Sequence, residues 1–401
     1  MSGARALETN LDINRNSSLI PFDLNVRTRV VFGNDSIDRL GELAAGLSAT
    51  RVMVVTDPGI LAAGHVTRGL ESLKAAGLEH AMFDGARENP TTEDVKKGVA
   101  FAKDFRPDLL VGLGGGSSMD CAKGINFIYS CGGEMKDYHG VDKATQPMLP
   151  MIAVPTTSGT GSEMQSFALI SDAETHVKMA CGDKKASCAI AVLDPRLTLT
   201  QPSLVTALTG IDAVSHALET WVTRPRNPAS LLYSRESWRL VAANFLRVLQ
   251  EPDNVEARGG MLLGAAYAGL AIENSMLGAA HALANPLTAT YDIAHGQAVG
   301  IMLPHVVRFN GAEFDDWYET LVTLAQGVPN GPVAGSGSHG IAEFVEQMTK
   351  TAGLEINLQG CGVQREQIPQ LADAAAQQWT GKFNPRPIDS ESLVSIYENA
   401  Y

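Results

Sequence analysis

The sequence predicts an α/β fold, in which an N-terminal domain on a parallel β-sheet (residues 1–198) is followed by an all-helical domain (residues 199–401). Up to about residue 198, short runs of Val, Ile and Leu alternate with stretches of helical periodicity, as in a parallel sheet covered on both faces. Beyond that point the chain is rich in Ala, Leu and Glu at helical spacing and has no convincing strand. The length of 401 residues allows two domains with a sizeable core.

The elements follow from these patterns in chain order. Strands are predicted at the apolar runs 28–33, 51–57, 80–84, 109–114, 151–155 and 189–193. Helices are predicted between the early strands at 35–47, 59–75 and 92–104. The second half reads as helices at 204–222, 234–250 and 256–284, the last closed by Pro286. Residues 327–340 are predicted to form a surface loop, and a ligand cleft is expected between the two domains.

The composition excludes several classes of partner. The net charge is −13 without a Lys/Arg cluster, so nucleic acid and anionic membranes are poor partners. The five cysteines form no CxxC pair, which favours reduced thiols in a cytoplasmic protein. The first 18 residues lack the apolar core of a secretory signal, and no run of about twenty apolar residues is present. We therefore expect a soluble, cytoplasmic enzyme.

Four residues are candidate metal ligands. Asp212 and His216 are spaced i, i+4, which places both side chains on one face of a helix. His281 and His295 lie further along, so that one carboxylate and three imidazoles form a plausible set for a divalent transition metal. A lone His on an apolar helix face is more often a satisfied core residue. However, His216 and His281 have mostly Ala, Val and Leu neighbours, and a shared metal would satisfy these imidazoles together.

A glycine-rich loop follows the predicted strand 109–114. Gly112, Gly114, Gly115 and Gly116 precede a helix that is predicted to start near Ser117. In this context, backbone N–H groups and a helix N-terminus can approach a phosphate. The loop matches neither GxGxxG nor GK[ST], and a tight packing turn would explain the glycines equally well.

Two further segments are candidate cofactor contacts. Asp57 ends a predicted strand, where a carboxylate can accept both ribose hydroxyls of an adenosine and would favour NAD over NADP. It is equally readable as a helix N-cap. The segment 154–163 offers the hydroxyls of Thr156, Thr157, Ser158 and Thr160 for a pyrophosphate or nicotinamide, although a solvated loop has the same composition.

Taken together, these segments resemble the iron-dependent (group III) alcohol dehydrogenase family. The resemblance runs from about Thr28 to the C-terminus, and the motifs occur in the right order. The segments that carry it are VVTD, NPTTEDV, GLGGGSSMDCAKG, AVPTTSGTGSE, LDPRLT, TGIDAVSHALE, AAHALANPLTATYDIAHG, LPHVVRFN and NPRPI.

The resemblance implies a dinucleotide-binding α/β domain and a helical metal-binding domain, an architecture like that of dehydroquinate synthase. It implies the cofactor NAD and Fe²⁺, with Zn²⁺ also compatible with the ligands. Asp212, His216, His281 and His295 would hold the metal, and catalysis would proceed through it. The cofactor contacts would be Asp57 at the adenosine ribose, Asn89 near the adenine, Gly115, Gly116 and Ser117 at the pyrophosphate, Thr156 and Thr157 along the cofactor wall and Lys178 near the nicotinamide ribose.

This sequence departs from the family pattern at two positions. Many members carry a second His four residues after the His281 position, thought to act in proton relay, whereas this chain has Asn285, which cannot titrate. Gln165 stands where a Thr near the cofactor is usual. His305, the other histidine near this region, is predicted to be structural.

The expected reaction is hydride transfer between NAD(H) and a small primary alcohol or aldehyde, with diols and lactaldehyde among the candidates. Sugar-phosphate cyclases resembling dehydroquinate synthase share the fold, but they need basic residues for a substrate phosphate, and 205–225 contains only Arg224. A glycerol dehydrogenase-like enzyme is a closer alternative. A non-enzymatic scaffold is disfavoured by the intact ligand set. The resemblance further implies a homo-oligomer, a dimer or larger.

Overall fold

The computed structural model describes residues 20–175 and 177–401, and its first half is organised around a six-stranded parallel sheet. Its strands are β1 Arg29–Phe32, β2 Arg51–Val55, β3 Glu79–Phe83, β4 Leu109–Gly114, β6 Met151–Pro155 and β9 Ile190–Leu193. They lie in the order β1-β9-β6-β4-β2-β3, and every pair is parallel. The strands predicted from the sequence form this sheet.

Helices cover both faces of the sheet, which explains the continuous apolar runs. The N-terminal helices are α1 Leu40–Gly46, α2 Pro58–Ala62, α3 His65–Ala75, α4 Thr92–Phe105 and α5 Gly116–Cys131. Alternate residues of β2 and β4 pack against α4 and α5 on one face and against α1 and α3 on the other. A parallel strand buried on both faces needs apolar side chains at every position.

A second, three-stranded sheet was not predicted. It consists of β5 Gly140–Val141, β7 Phe167–Ser171 and β8 Lys178–Gly182 in the order β5-β8-β7, with β7 and β8 antiparallel. β5 has only two residues, and β7 and β8 have mixed burial, so neither continuous hydrophobicity nor composition marks them. This sheet matters for the site because β8 begins with Lys178.

The second half of the chain is helical throughout its described elements. The helices are α6 Ser203–Val222, α7 Pro228–Gln250, α8 Val255–Asn274, α9 Ala279–Tyr291, α10 His295–Leu324, α11 Gly337–Thr351, α12 Ile368–Ala376 and α13 Ser390–Ala400. Their apolar faces share one large core around the buried Trp238 and Tyr318. The predicted fold class, a parallel-sheet α/β part followed by a helical part, is confirmed. The domain boundary at 198/199 stays a prediction.

The predicted helix 256–284, closed by Pro286, is wrong in two respects. The structure ends α8 at Asn274 and starts α9 at Ala279, with Gly278 in a non-helical conformation between them. α9 then continues through Pro286 to Tyr291. The proline costs one i→i−4 hydrogen bond, and helices tolerate this where packing holds them on both sides. Here Ala284, Pro286 and Leu287 are all buried.

Three smaller boundaries also differ from the predictions. The predicted helix 59–75 is split at Gly64, whose φ of 81° is left-handed. α7 begins at Pro228, six residues before the predicted start, because Asn227 caps it and proline is well suited to a first helical turn. The predicted loop 327–340 ends early, since α11 starts at Gly337. Among the described residues, no helix is both long and apolar enough to cross a membrane.

Candidate metal centre and cofactor cleft

Three helices bring the four predicted metal ligands to one place. α6 presents Asp212 and His216 from one face, α9 presents His281 from its first turn, and α10 begins at His295. Asp212 Oδ1 lies 3.4 Å from His216 Nε2, 3.6 Å from His281 Nε2 and 3.8 Å from His295 Nε2. The two nitrogens of His216 and His281 are 3.1 Å apart.

Three of the four residues form a tight, buried group, and His295 lies at the edge of this group. The ligand atoms of Asp212, His216 and His281 all lie within 4.8 Å of one another. His295 is half-buried, and its ring centroid is 5.3 Å from that of His281. The structure therefore gathers all four side chains around Asp212 Oδ1, with His295 on the solvent side.

The hydrogen bonds fix which imidazole nitrogens face this centre. His216 Nδ1 donates to the carbonyl of Gly159 at 3.2 Å, since a carbonyl can only accept. His281 Nδ1 donates to the carboxylate of Glu219. In their neutral forms both rings then direct an Nε2 lone pair toward each other and toward Asp212 Oδ1, a buried atom without a hydrogen-bond partner in the described chain. Converging lone pairs and an unpaired carboxylate oxygen fit a bound cation.

The electrostatics of the ligands are consistent with a cation site. Burial acts to raise the pKa of Asp212, but the imidazoles of His216, His281 and His295 hold it far below its ordinary value. Burial acts to lower the pKa of His281, yet Glu219 and Asp212 together raise it to about 9. Burial lowers the pKa of His295 to about 3. The centre thus attracts positive charge at His281 and keeps His295 in the neutral form that can ligate a metal.

Glu219 is the residue at this centre that the sequence did not reveal. It lies on α6 one turn after His216, is almost fully buried, and accepts from the backbone N–H of Ala280 at 2.7 Å as well as from His281. A carboxylate behind a ligating His fixes the tautomer and raises the basicity of the ring. The sequence did contain one indication of this role, a Glu seven residues after Asp212 within an apolar helix, where an acidic side chain is rarely buried unless it is paired.

The glycine loop lies against Asp57 and the 156–161 segment. Gly114 has a φ of 151°, and a side chain there would collide with Ser118 and approach Asp57. A side chain at Gly116 would collide with Thr160. α5 starts at Gly116, so its N-terminus lies beside these loops. This arrangement fits a phosphate group, because N-terminal N–H groups carry partial positive charge.

Asp57 caps the N-terminus of α2, which was the alternative interpretation of this residue. Its Oδ1 caps α2 by accepting from the N–H groups of Gly59 and Ile60 at 3.0 and 3.1 Å, and its Oδ2 accepts from Ser118 Oγ at 2.9 Å. The carboxylate therefore joins the C-terminal tip of β2 to the helix behind the glycine loop. Contact with an adenosine ribose stays a prediction.

Asn89, Ser117 and Lys178 lie together beside the glycine loop. Asn89, with a left-handed φ of 50°, donates its N–H to Ser117 Oγ at 3.3 Å and accepts from Lys178 Nζ at 3.3 Å. The hydroxyls of Thr156 and Ser158 are buried without a hydrogen-bond partner in the described chain, which suits polar contact with a ligand. The structure thus brings the predicted cofactor residues to neighbouring positions, and their individual roles stay predictions.

A buried lysine ties the cofactor loops together. Lys123 on α5 is fully buried, and its Nζ donates to the carbonyls of Ser162, Gln165 and Phe167 and to Ser162 Oγ, at 2.6 to 2.9 Å. Four acceptors satisfy a charge that would otherwise be costly to bury. This lysine holds the segment after Thr160 against α5, the helix that follows the glycine loop. In the sequence, only the occurrence of a Lys within an apolar helix indicated a buried role for it.

The two positions that depart from the family pattern are both hydrogen-bonded. Gln165 Nε2 donates to the carbonyl of Thr160 at 2.7 Å, so this side chain supports the loop. Asn285, one turn after His281 on α9, donates from Nδ2 to Gln378 Oε1 at 3.0 Å. His305 is half-buried and lines a cavity of about 500 Å³ near the C-terminus with residues such as Glu343.

The protein combines a parallel sheet that carries a glycine-rich loop with a helical part that holds a buried centre of Asp and His side chains. This combination is typical of metal-dependent, nucleotide-binding proteins. Two family models match the chain, "Iron-containing alcohol dehydrogenase" over residues 27–195 and "Fe-containing alcohol dehydrogenase family, C-terminal" over residues 206–401. The chain belongs to the iron-containing alcohol dehydrogenase family. The predicted family and enzyme class are thereby confirmed, as are the cofactors NAD and iron.

Similar proteins extend over nearly the whole chain. The 1,3-propanediol dehydrogenase of Klebsiella pneumoniae is 31% identical over 382 residues, which cover 95% of this chain and 99% of that protein. The NAD-dependent methanol dehydrogenase of Bacillus methanolicus is 30% identical, covering 92% and 97%. The crystal structure of a 1,3-propanediol oxidoreductase superposes with a TM-score of 0.91 at 30% identity, covering 95% of this chain and 100% of that chain.

Replacement of Glu219 by Gln should weaken metal binding while leaving the four ligands in place. The amide removes the negative charge that makes His281 a basic ligand, and loss of such a partner typically costs about 10- to 100-fold in metal affinity. Fe²⁺ titration of chelator-treated protein measures the effect. The matched control is Glu346→Gln, which alters another hydrogen-bonded carboxylate, partnered by Arg308, thirteen residues after His295 along α10. Equal Fe²⁺ affinity in the Glu219 variant and the wild type would contradict the assigned role.

The buried carboxyl of Glu163 should make stability depend on pH. Burial raises its pKa from 4.5 to about 7, although the Lys123 ammonium acts to lower it. The protonated form therefore stabilises the fold below about pH 4.5, and this stabilisation, up to about 3 kcal/mol, is lost as the pH rises through about 7. Glu163→Gln should gain thermal stability over the wild type between about pH 5 and pH 8.

Thermal unfolding of both proteins across that range provides the measurement. Glu71→Gln, at an exposed position on α3, serves as the control and should differ little from the wild type across the same range. A Glu163→Gln difference that stays constant with pH would show that this carboxyl does not titrate near neutrality.

Proposed function

We propose that this chain catalyses hydride transfer between NAD(H) and a small primary alcohol or aldehyde, with a divalent iron ion held by Asp212, His216, His281 and His295. The observation that carries the proposal is the buried Oδ1 of Asp212, which has no hydrogen-bond partner among the described residues and faces three imidazole nitrogens. The donor set is borderline in softness, so Zn²⁺ also fits, and iron is preferred through the family.

The cofactor would lie between the glycine loop and the metal centre. The N-terminus of α5 at Gly115, Gly116 and Ser117 would receive the pyrophosphate, and Thr156 and Thr157 would continue along it. The segment after Thr157 leads directly to Gly159, whose carbonyl orients His216. One loop would therefore contact the cofactor and position a metal ligand, which places the two near each other.

At the two ends of the cofactor, Asp57 and Asn89 would contact the adenosine, and Lys178 would contact the nicotinamide ribose. The hydrogen bond from Lys178 to Asn89 supports this proposal, because it joins two of the predicted cofactor contacts. The carboxylate of Asp57 would repel a 2′-phosphate and so favour NAD over NADP.

When bound, the metal supplies Lewis-acid polarisation of a substrate oxygen, and the nicotinamide supplies or accepts the hydride. The protein holds both groups and fixes their orientation. Asn285 cannot act as a general acid or base, because an amide does not titrate near neutral pH, and its Nδ2 donates to Gln378 Oε1. Water, a ribose hydroxyl of the cofactor or another group must exchange the proton with the substrate oxygen.

The similar proteins support small substrates, since two of them are named for 1,3-propanediol and methanol. We also propose a homo-oligomeric, cytoplasmic enzyme. The net charge of −13 and the absence of a Lys/Arg cluster support a small molecule as the partner, with neither nucleic acid nor an anionic membrane involved.

The test is NADH consumption with a panel of short aldehydes, using chelator-treated protein with and without added Fe²⁺. Turnover should require the metal, and His281→Ala should reduce it by at least about 100-fold, the equivalent of about 3 kcal/mol of lost transition-state stabilisation. His305→Ala is the matched control, because it removes an imidazole outside the centre. Demonstrated binding of both NADH and Fe²⁺ without turnover of any aldehyde would contradict the proposed reaction.

A further inference from the structure

The NPRPI motif near the C-terminus contains a buried asparagine that the proposed reaction does not use. Asn384 follows a short 3₁₀ helix, Trp379–Phe383, and only 2% of its surface is exposed. It lies opposite Asn310 on α10, which is also buried. Asn384 Nδ2 donates to Asn310 Oδ1 at 2.7 Å, and Asn310 Nδ2 donates to Asn384 Oδ1 at 3.1 Å. Because each amide satisfies the other, the pair has one fixed orientation.

The pair extends to the first residue of α9. Asn384 Oδ1 also accepts from the backbone N–H of Ala279 at 3.3 Å. Gly278, the residue before the helix, has no side chain that could accept this bond, and the next N–H, that of Ala280, is accepted by Glu219. The first N–H groups of a helix have no partner within it, and buried ones therefore need acceptors from other segments. Asn384 supplies one of these acceptors from 105 residues along the chain.

Asn384 uses the full hydrogen-bonding capacity of an amide. The two hydrogens of its Nδ2 go to Asn310 Oδ1 and to the carbonyl of Arg386, both at 2.7 Å. Its Oδ1 accepts from Asn310 Nδ2 and from the N–H of Ala279. Aspartate has the same shape but donates nothing, and an apolar residue neither donates nor accepts. The position therefore requires an amide of this length.

The residues on either side of this amide are fastened to α10 and to the end of α6. Arg386 Nη1 donates to the carbonyl of Phe309 at 2.9 Å, and the guanidinium lies 3.9 Å from the centre of the Phe309 ring. Arg386 Nε also lies 3.1 Å from Glu313 Oε1. The carbonyl of Phe383 accepts from the N–H of Arg224, just after α6, at 2.8 Å. Since α6 and α10 carry the other three predicted metal ligands, the motif connects their positions to the start of α9.

His281 lies in the helical turn that this amide caps. It is two residues after Ala279, and its Nδ1 and the N–H of Ala280 both donate to the carboxylate of Glu219. Glu219 therefore orients the ring, whereas Asn384 holds the backbone at the first residue of the turn. Without Asn384, the N–H of Ala279 would be buried without a partner, and the turn would have to move to find another. Such a movement would carry the His281 ring with it.

We propose that Asn384, held by Asn310, is a positioning residue of the metal centre. It acts through the backbone at the start of α9, which sets where the Nε2 atom of His281 lies relative to the other ligands. The inference rests on the proposed function, because the geometry that Asn384 maintains is that of a metal site. It gives the C-terminal motif a role in metal binding in addition to its packing within the helical part.

Asn384→Ala should weaken Fe²⁺ binding about tenfold, because loss of a support behind a metal ligand typically costs about 10- to 100-fold in affinity. Fe²⁺ titration of chelator-treated protein measures the affinity, and the visible absorption of the Co²⁺-loaded protein reports the ligand geometry. The matched control is Asn126→Ala, which removes an equally buried amide, bonded to Leu149 and Ser130 in the α/β half. The control should lose comparable thermal stability and leave both metal readouts unchanged.

Asn384→Asp separates the positioning role from packing. The carboxylate keeps an acceptor for the N–H of Ala279 but loses both N–H donors. This variant should therefore be less stable than the wild type to thermal unfolding, yet bind Fe²⁺ more tightly than Asn384→Ala and retain a Co²⁺ spectrum close to that of the wild type. Equal Fe²⁺ affinity in the Asp and Ala variants would show that the acceptor does not position the ligand, and would overturn the proposal.

Asn310→Ala provides the test if Asn384→Ala does not fold. It leaves the capping amide in place but removes its partner, and it should weaken Fe²⁺ binding and alter the Co²⁺ spectrum in the same direction. Wild-type affinity and an unchanged spectrum in the Ala variants, or an equal loss in Asn126→Ala, would overturn the positioning role alone. A wild-type protein that binds neither ion would overturn the proposed function together with this role, so the two failures are distinguishable.

Discussion

The centre depends on one buried oxygen atom, Asp212 Oδ1, which makes no hydrogen bond within the described part of the chain. It lies 3.4 to 3.8 Å from three imidazole nitrogens, and hydrogen bonds to Gly159 and Glu219 direct two of these, on His216 and His281, toward it. A buried carboxylate is unfavourable without a positive charge beside it, and either a proton on His281 or a bound metal ion can supply that charge. The packing of α6, α9 and the start of α10 therefore forms a site that is suited to a cation.

This constraint extends into the α/β half of the chain. The loop that contains Gly159 orients His216, and the same loop lies against the glycine-rich turn at Gly116 through Thr160. Its next residues, Ser162 to Phe167, are held by the ammonium of Lys123. A displacement of this segment would disturb both the predicted metal ligand His216 and the expected cofactor wall, so the segment connects the two halves of the protein at the site.

The sequence predicted those features that local chemistry determines. β2, β4 and β6 were predictable because strands buried on both faces must be apolar throughout, and Asp212 and His216 because their spacing aligns them on a helix. The short strands β7 and β8, the break before Ala279 and the role of Glu219 depend on contacts between distant segments. Pro286 was misread because a local rule for helix termination yielded to burial on both sides of α9. The single-residue roles at the cofactor cleft stay predictions.

The central claim is that Asp212 Oδ1 and the three imidazoles bind one metal ion. Anomalous X-ray diffraction from crystals of Fe²⁺-loaded protein tests it most directly. The account predicts a single strong peak bonded to Asp212 Oδ1 and to the Nε2 atoms of His216, His281 and His295 at about 2.0–2.2 Å. A peak bound elsewhere, or an Asp212 Oδ1 that makes no bond to the ion in the loaded protein, would contradict it.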